Sequence, residues 1–142
     1  MQINGITYKE EAIKAAKNKR IIMNNLIARF NVNIASKEDL ELLLSNTQFK
    51  STGTFELDIM KNVEYDNEKS KEFPDGFLYF KYTVEYYKNE NAVDEYDIQN
   101  SESILKILWE NDIPAIIICN FEDKLSEKGG YKSKNIPWKN TR

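Results

Sequence analysis

Histidine is absent from this sequence of 142 residues. Its absence removes the usual general base near neutral pH, the commonest metal-ligating side chain and every catalytic triad built on an imidazole. A single cysteine excludes an internal disulfide and is typical of a reducing compartment. No apolar run approaches the length of a membrane span, and the first residues lack the order of a secretory signal. We therefore expect a cytoplasmic protein with no membrane association.

Net charge is distributed unevenly along the chain. Residues 1–35 carry +4, residues 36–100 carry -8 and residues 101–142 carry +1, for a total of -3. Binding of nucleic acid would need a basic patch, and the acidic middle of the chain argues against it. The same distribution favours a basic protein partner. With 41% hydrophobic and 30% charged residues, the composition indicates one soluble domain over residues 1–142.

Alternation of apolar and polar residues, the pattern of a half-buried strand, is clearest from Phe77 to Lys88. We interpret this stretch as a long central strand. The other predicted strands are Leu26–Ile34, Thr54–Val63 and the continuous apolar run Ala115–Cys119. The charged stretch Glu64–Gly76 ends in Pro-Asp-Gly, which predicts a turn between two antiparallel strands.

Three stretches carry helical signals. The Ala- and Lys-rich segment Tyr8–Asn18 predicts an extra N-terminal helix within residues 1–20. Ser36 is the expected N-cap of a helix over Lys37–Ser45. Asn100 or Ser101 is expected to cap a further helix that ends near Asn111. Residues 121–142 are polar and predict an irregular C-terminal tail.

The order of these elements predicts the fold class. Strand, helix, strand, strand, helix, strand is the order of an α+β fold of the ferredoxin-like βαββαβ type. Such a fold is an antiparallel sheet with its helices on one face. The N-terminal helix would be an addition to it.

Acidic and aromatic residues are densest around the end of the third predicted strand and the connection after it. Tyrosine gives a large contact area at low entropic cost, and carboxylates steer a basic partner towards the surface. A second acidic group directly follows the last strand. The predicted partner-binding residues are Tyr86, Tyr87, Glu90, Asp94, Glu95, Tyr96, Asp97, Glu122 and Asp123. The alternative for the first group is a solvated loop with one or two core tyrosines.

A carboxylate metal site is the main catalytic alternative. It would join Glu122 and Asp123 to acidic residues of the earlier strands, for hydrolysis or phosphoryl transfer. Their spacing matches no recognised cation-binding loop. We therefore expect neither a metal nor another cofactor. The remaining members of such a site would be Glu56, Asp58 or Asp75.

Two further features favour structural roles over chemistry. Cys119 ends an apolar strand and has no histidine to activate it, so we expect an inert, largely buried thiol. Gly129-Gly130 lacks the spacing and the context of a phosphate-binding loop, which favours a flexible turn.

The second half of the chain contains the segments Asp75–Phe80, Leu108–Glu110, Cys119–Leu125 and Gly129–Tyr131. Together they resemble small immunity proteins that accompany bacterial polymorphic or contact-dependent toxins. The resemblance implies a stoichiometric binder that shields a toxin domain, and it carries no catalytic residues to transfer. The acidic middle of the chain makes a basic toxin domain the expected partner. A phage-encoded inhibitor of a bacterial defence enzyme would show the same sequence features. Both hypotheses predict a non-catalytic, protein-binding inhibitor.

Overall fold

The computed structural model describes residues 25–49, 55–72 and 74–131. Over these ranges the chain forms an α+β fold with a four-stranded antiparallel sheet and two α-helices. The strands are β1 (Asn25–Val32), β2 (Phe55–Lys61), β3 (Tyr82–Lys88) and β4 (Ala115–Ile118), and the helices are α1 (Lys37–Ser45) and α2 (Glu95–Glu110). Short 3-10 helices occupy Lys69–Lys71, Asp75–Tyr79, Glu122–Lys124 and Ser126–Gly130.

Two of the sequence predictions extend beyond these ranges. The N-terminal helix predicted at Tyr8–Asn18 lies outside the described residues, and so does the part of the predicted tail after Tyr131. Among the residues that are described, no helix is both long enough and apolar enough to cross a membrane.

The sheet has β3 and β1 at its centre, in the strand order β2-β3-β1-β4, and every neighbouring pair is antiparallel. Phe30, Val84 and Ile59 are paired across three strands and are buried on one face. On the same face Tyr86 bonds to Asp97 of α2, and α1 contacts α2, so both helices cover this face. We call it the helix face and the opposite side the outer face.

Helix α1 begins and ends where the sequence predicts. The hydroxyl of Ser36 accepts a hydrogen bond from the backbone N–H of Asp39 at 3.1 Å, as an N-cap should. Leu40 and Leu44, one helical turn apart, are buried against the helix face.

Helix α2 begins at Glu95, so the predicted start at Asn100 or Ser101 is wrong. The N-cap is Asp94, which forms a capping box with Asp97. The first turns bury polar side chains, including those of Asn100 and Ser101, so apolar periodicity does not mark them as helical. Glu95 and Asp97, which belong to the predicted connection, instead lie in the first turn of the helix.

The predicted long strand Phe77–Lys88 is also corrected, because β3 begins only at Tyr82. The preceding residues form the 3-10 helix Asp75–Tyr79, in which the N–H of Phe80 bonds to the carbonyl of Phe77. The side chain of Asn31 in β1 donates to that same carbonyl at 3.0 Å. The alternation of aromatic residues therefore begins before the strand does. The residues before Tyr82 form a 3-10 helix that packs on the outer face, next to Asn31, and does not extend the sheet.

The remaining strands lie where predicted, with ends that differ by one or two residues. The described part of the predicted irregular tail contains two 3-10 helices, which corrects that prediction. In the second of these, Glu127, Lys128 and Gly129 have positive φ angles of 51°, 53° and 77°. This left-handed turn brings Gly129 so close to Ile117 that an added Cβ would lie 2.5 Å from the Ile117 Cγ2 atom.

Gly76 provides a test of the packing between the two 3-10 helices that precede β3. A Cβ at this position would lie 2.5 Å from the carbonyl oxygen of Ser70, a backbone atom that cannot rotate away. We expect Gly76→Ala to lower the free energy of unfolding by about 1–3 kcal/mol, the usual cost of overpacking. Urea unfolding followed by circular dichroism measures this loss of stability. An unchanged midpoint would show that the two 3-10 helices can move apart at no cost.

Candidate functional site

The connection between β3 and α2, residues Asn89–Asp94, is exposed along its whole length. We call it the acidic loop. Glu90 and Asp94 lie on it, and Glu95 and Tyr96 follow in the first turn of α2, where both are exposed. Four of the predicted partner-binding residues therefore lie at the surface in one continuous stretch.

Two of the predicted contact residues, Tyr86 and Asp97, do not belong to this surface. Their exposed fractions are 0% and 2%, because their side chains lie between the sheet and α2. The Tyr86 hydroxyl donates to Asp97 Oδ1 at 2.8 Å, and Lys88 Nζ donates to Asp97 Oδ2 at 2.8 Å. The Asn100 amide in turn donates to the Tyr86 hydroxyl at 3.2 Å. We call Tyr86, Lys88, Asp97 and Asn100 the buried cluster.

Residues of the buried cluster flank the acidic loop and hold its second half. From the end of β3, Lys88 Nζ also donates to the carbonyl of Ala92, within the loop, at 2.9 Å. At the α2 end, the N–H of Asp94 donates to Asp97 Oδ2 at 2.9 Å, and the N–H of Asp97 donates to Asp94 Oδ1 at 3.0 Å. The Asp97 carboxylate thus accepts from three donors, which compensates much of the cost of burying its charge.

The pKa directions agree with this geometry. Burial lowers the pKa of Lys88, but the hydrogen bond and charge of Asp97 outweigh burial and leave the pKa raised. Partial burial raises the pKa of Asp94, yet the N–H of Asp97 and the charge of Lys88 leave it below its usual value. Burial, together with the charge of Asp97, raises the pKa of Tyr86 well above its ordinary value. Lys88 and Asp94 are therefore charged, and Tyr86 neutral, at neutral pH.

A groove with a volume of about 570 Å³ separates the acidic loop from the turn that follows β4. We call it the loop–turn groove. Its lining residues are Leu26, Ile27, Asn91, Val93, Ile98, Asn120, Phe121, Asp123 and Lys124. Asp123, from the second predicted acidic group, thus shares one groove with the acidic loop. Glu122 does not line it, and its Oε2 accepts from the N–H of Cys119 at 3.2 Å.

Tyr87 lies on the outer face, away from the acidic loop. Its hydroxyl donates to Glu85 Oε1 at 2.5 Å, and Glu85 Oε2 accepts from Arg29 Nε and Nη2 at 3.0 and 2.7 Å. The hydrogen bond to Glu85 raises the pKa of Tyr87 to about 12. Tyr87 pairs with Leu26 of β1, which lines the loop–turn groove, so the two surfaces adjoin.

The Arg29–Glu85 pair was not among the sequence predictions. Each residue occupies a polar position in a strand whose apolar and polar residues alternate. The sequence offers no other signal that the two side chains form a pair. Their pairing depends on the register between β1 and β3, where Arg29 lies directly opposite Glu85. A one-residue bulge shifts the register between Leu26 and Ala28, and its position is not readable from alternation.

The carboxylates of the proposed metal site do not converge. Glu56 and Asp58 belong to β2 at one edge of the sheet, whereas Glu122 and Asp123 follow β4 at the other edge. Three strand spacings separate these edges, or roughly 14 Å. Over the described ranges, no three His, Cys, Asp or Glu side chains are close enough together to hold a metal ion.

Cys119 has the properties expected of a structural thiol. It is partly buried, and burial together with the nearby Glu122 charge raises its pKa to about 11. The thiol is therefore protonated, and a poor nucleophile, at neutral pH.

Comparison of the chain with known protein families, with curated proteins and with solved structures found no match.

The buried cluster makes a testable prediction about stability. Asp97→Asn removes the closer of the two carboxylates that face the buried Lys88 ammonium and leaves only the exposed Asp94 at 3.6 Å, so we expect the free energy of unfolding to fall by about 2–4 kcal/mol. Adding Lys88→Met removes the buried ammonium charge as well. The double variant should therefore lose less free energy of unfolding than the two single variants lose together. Urea unfolding of the three variants measures this coupling.

Glu110→Gln, on the exposed end of the same helix, is the control and should change the free energy of unfolding by less than about 0.5 kcal/mol. If the effects of Asp97→Asn and Lys88→Met simply add, the two residues are not an energetic unit.

Proposed function

We propose that this protein is a non-catalytic binder that inhibits a basic protein partner, and that it acts as an immunity protein towards a toxin domain. One observation carries the proposal. The exposed residues Glu90, Asp94, Glu95 and Tyr96 lie on a segment flanked by Lys88 and Asp97 of the buried cluster, whose hydrogen bonds hold Ala92 and Asp94. The exposed carboxylates are thus presented to a partner from a support that is already in place.

Anchoring of this kind favours tight binding. Ordering a loop during association costs free energy, and a loop already fixed by Lys88 and Asp97 avoids part of that cost. The exposed carboxylates raise the association rate with a basic surface, and Tyr96, 41% exposed, offers an aromatic contact.

The proposed interface is smaller than the set of residues predicted from the sequence. It comprises Glu90, Asp94, Glu95 and Tyr96, with Asp123 across the loop–turn groove. Tyr87 lies at its margin through its pairing with Leu26. Tyr86 and Asp97 support the interface from inside, and Glu122 stabilises the turn after β4.

The immunity role and a cytoplasmic location rest on the sequence. The resemblance in the second half of the chain supports the first, and the single cysteine supports the second. A carboxylate enzyme gains no support, because its acidic residues lie at opposite edges of the sheet. The identity of the bound partner distinguishes a toxin from a defence enzyme inhibited by a phage protein.

We also propose that the fold is of the ferredoxin-like class. The order β1, α1, β2, β3, α2, β4 supports this assignment. So does the interleaving of the two βαβ units, because β3 lies between β1 and β2, and β1 lies between β3 and β4.

Charge reversal of the acidic loop tests the proposed interface. The wild-type protein, immobilised, captures its partner from a lysate of the source organism, and the purified partner is then used for binding kinetics. We expect Glu90→Lys with Glu95→Lys to slow association by roughly tenfold at low ionic strength, and the loss to shrink as salt is added. Both side chains are exposed, so folding should be retained.

Glu64→Lys with Glu110→Lys is the matched control, because it changes the net charge equally at exposed positions away from the acidic loop. If both pairs slow association equally, only the net charge matters. If neither does, the acidic loop is not the interface.

A further inference from the structure

We infer that the loop–turn groove is a binding site for a cationic side chain, arginine or lysine, that the basic partner inserts. This inference rests on the proposed function, because it presupposes a basic partner. It adds the chemical group that is recognised and the residues that recognise it.

The apolar lining suits the stem of such a side chain. Leu26 and Val93 are 43% and 38% exposed, and Ile98 is half-buried and packs against the core. Arginine and lysine bury their methylene stems along apolar surface while the charged head stays in a polar environment. The exposed apolar area of this groove can therefore contact the methylene stem while the charged group stays in a polar environment.

The polar lining suits the charged head. Asp123 offers an exposed carboxylate, and the side-chain amides of Asn91 and Asn120 each offer an acceptor oxygen. A guanidinium group has five N–H donors in a plane and can satisfy several such acceptors at once. Lys124 is the one cation among the lining residues, and it opposes a positive ligand.

The surrounding charges favour a cation over an anion. Glu90 and Asp94 adjoin the lining residues Asn91 and Val93 in the chain. The nearest other described cations in the chain are Arg29, which is paired with Glu85, and Lys88, which is held by Asp97 and lies 3.6 Å from Asp94 Oδ2, so both charges are matched internally. The volume of about 570 Å³ falls within the range of small-ligand sites and can take a long side chain with its adjoining backbone.

A titration followed by NMR tests the inference without the partner. The ¹⁵N-labelled full-length protein is titrated with N-acetyl-arginine amide, and separately with N-acetyl-citrulline amide, which has nearly the same shape but no charge. We expect arginine to shift the amide resonances of Asn91, Val93, Asn120 and Asp123 at millimolar concentration, and citrulline to shift them much less.

Opposite changes in two neighbouring residues sharpen the test. Asp123→Asn should weaken arginine binding by about two- to fivefold, the effect of one exposed ion pair, and Lys124→Gln should strengthen it by a similar factor. Glu110→Gln and Lys106→Gln make the same charge changes on exposed positions of α2 and should leave the affinity unchanged.

The inference is overturned if arginine produces no shifts at the groove, if citrulline binds equally well, or if the two groove variants change affinity in the same direction. Its failure is distinguishable from that of the proposed function. If capture of the partner depends on Glu90 and Glu95 but arginine does not bind, only the assignment of the groove as a cation site is rejected. If arginine binds but the protein captures no partner that it inhibits, the cation site is retained and the proposed function is rejected.

Discussion

The ion pair between Lys88 and Asp97 is the contact on which the candidate interface depends. It joins the last residue of β3 to the first turn of α2, and the exposed loop between them follows from that junction. A buried ion pair often contributes little net stability compared with apolar packing, because desolvation offsets the attraction. Here the pair also determines position, since the one Asp97 carboxylate accepts from Lys88 and Tyr86 of the strand and from the backbone N–H of the N-cap Asp94.

The aromatic packing of the sheet is coupled to the same cluster. Tyr86 stacks on Phe55 of β2 with ring centroids 4.8 Å apart, while its hydroxyl bonds to Asp97. The tyrosine therefore connects β2, β3 and α2 through one side chain. The same Asp97 carboxylate accepts from the N–H of Asp94, so the end of the acidic loop is joined to this core contact through one side chain.

Sequence patterns predicted the elements better than the site. Helix α1 and the positions of β1, β2 and β4 follow from apolar patterning and from the Ser36 cap, which are local signals. The start of α2 and the 3-10 helix before β3 escaped prediction, because polar residues are buried in one and alternating aromatic residues continue through the other. Acidic composition located the surface but could not separate Asp97, which points inward, from Glu95, which points outward. That distinction depends on Lys88 and Tyr86 reaching Asp97 across the β3–α2 junction, a tertiary contact.

Hydrogen–deuterium exchange of the protein, free and bound to the partner that it captures, tests the central claim most directly. The claim is that a preformed acidic loop and the adjoining loop–turn groove are the interface. Slower exchange in the complex over residues 89–98 and 120–124, with little change elsewhere, is the predicted result. Slower exchange on the outer face around Arg29 and Glu85, with the acidic loop unchanged, would contradict the account.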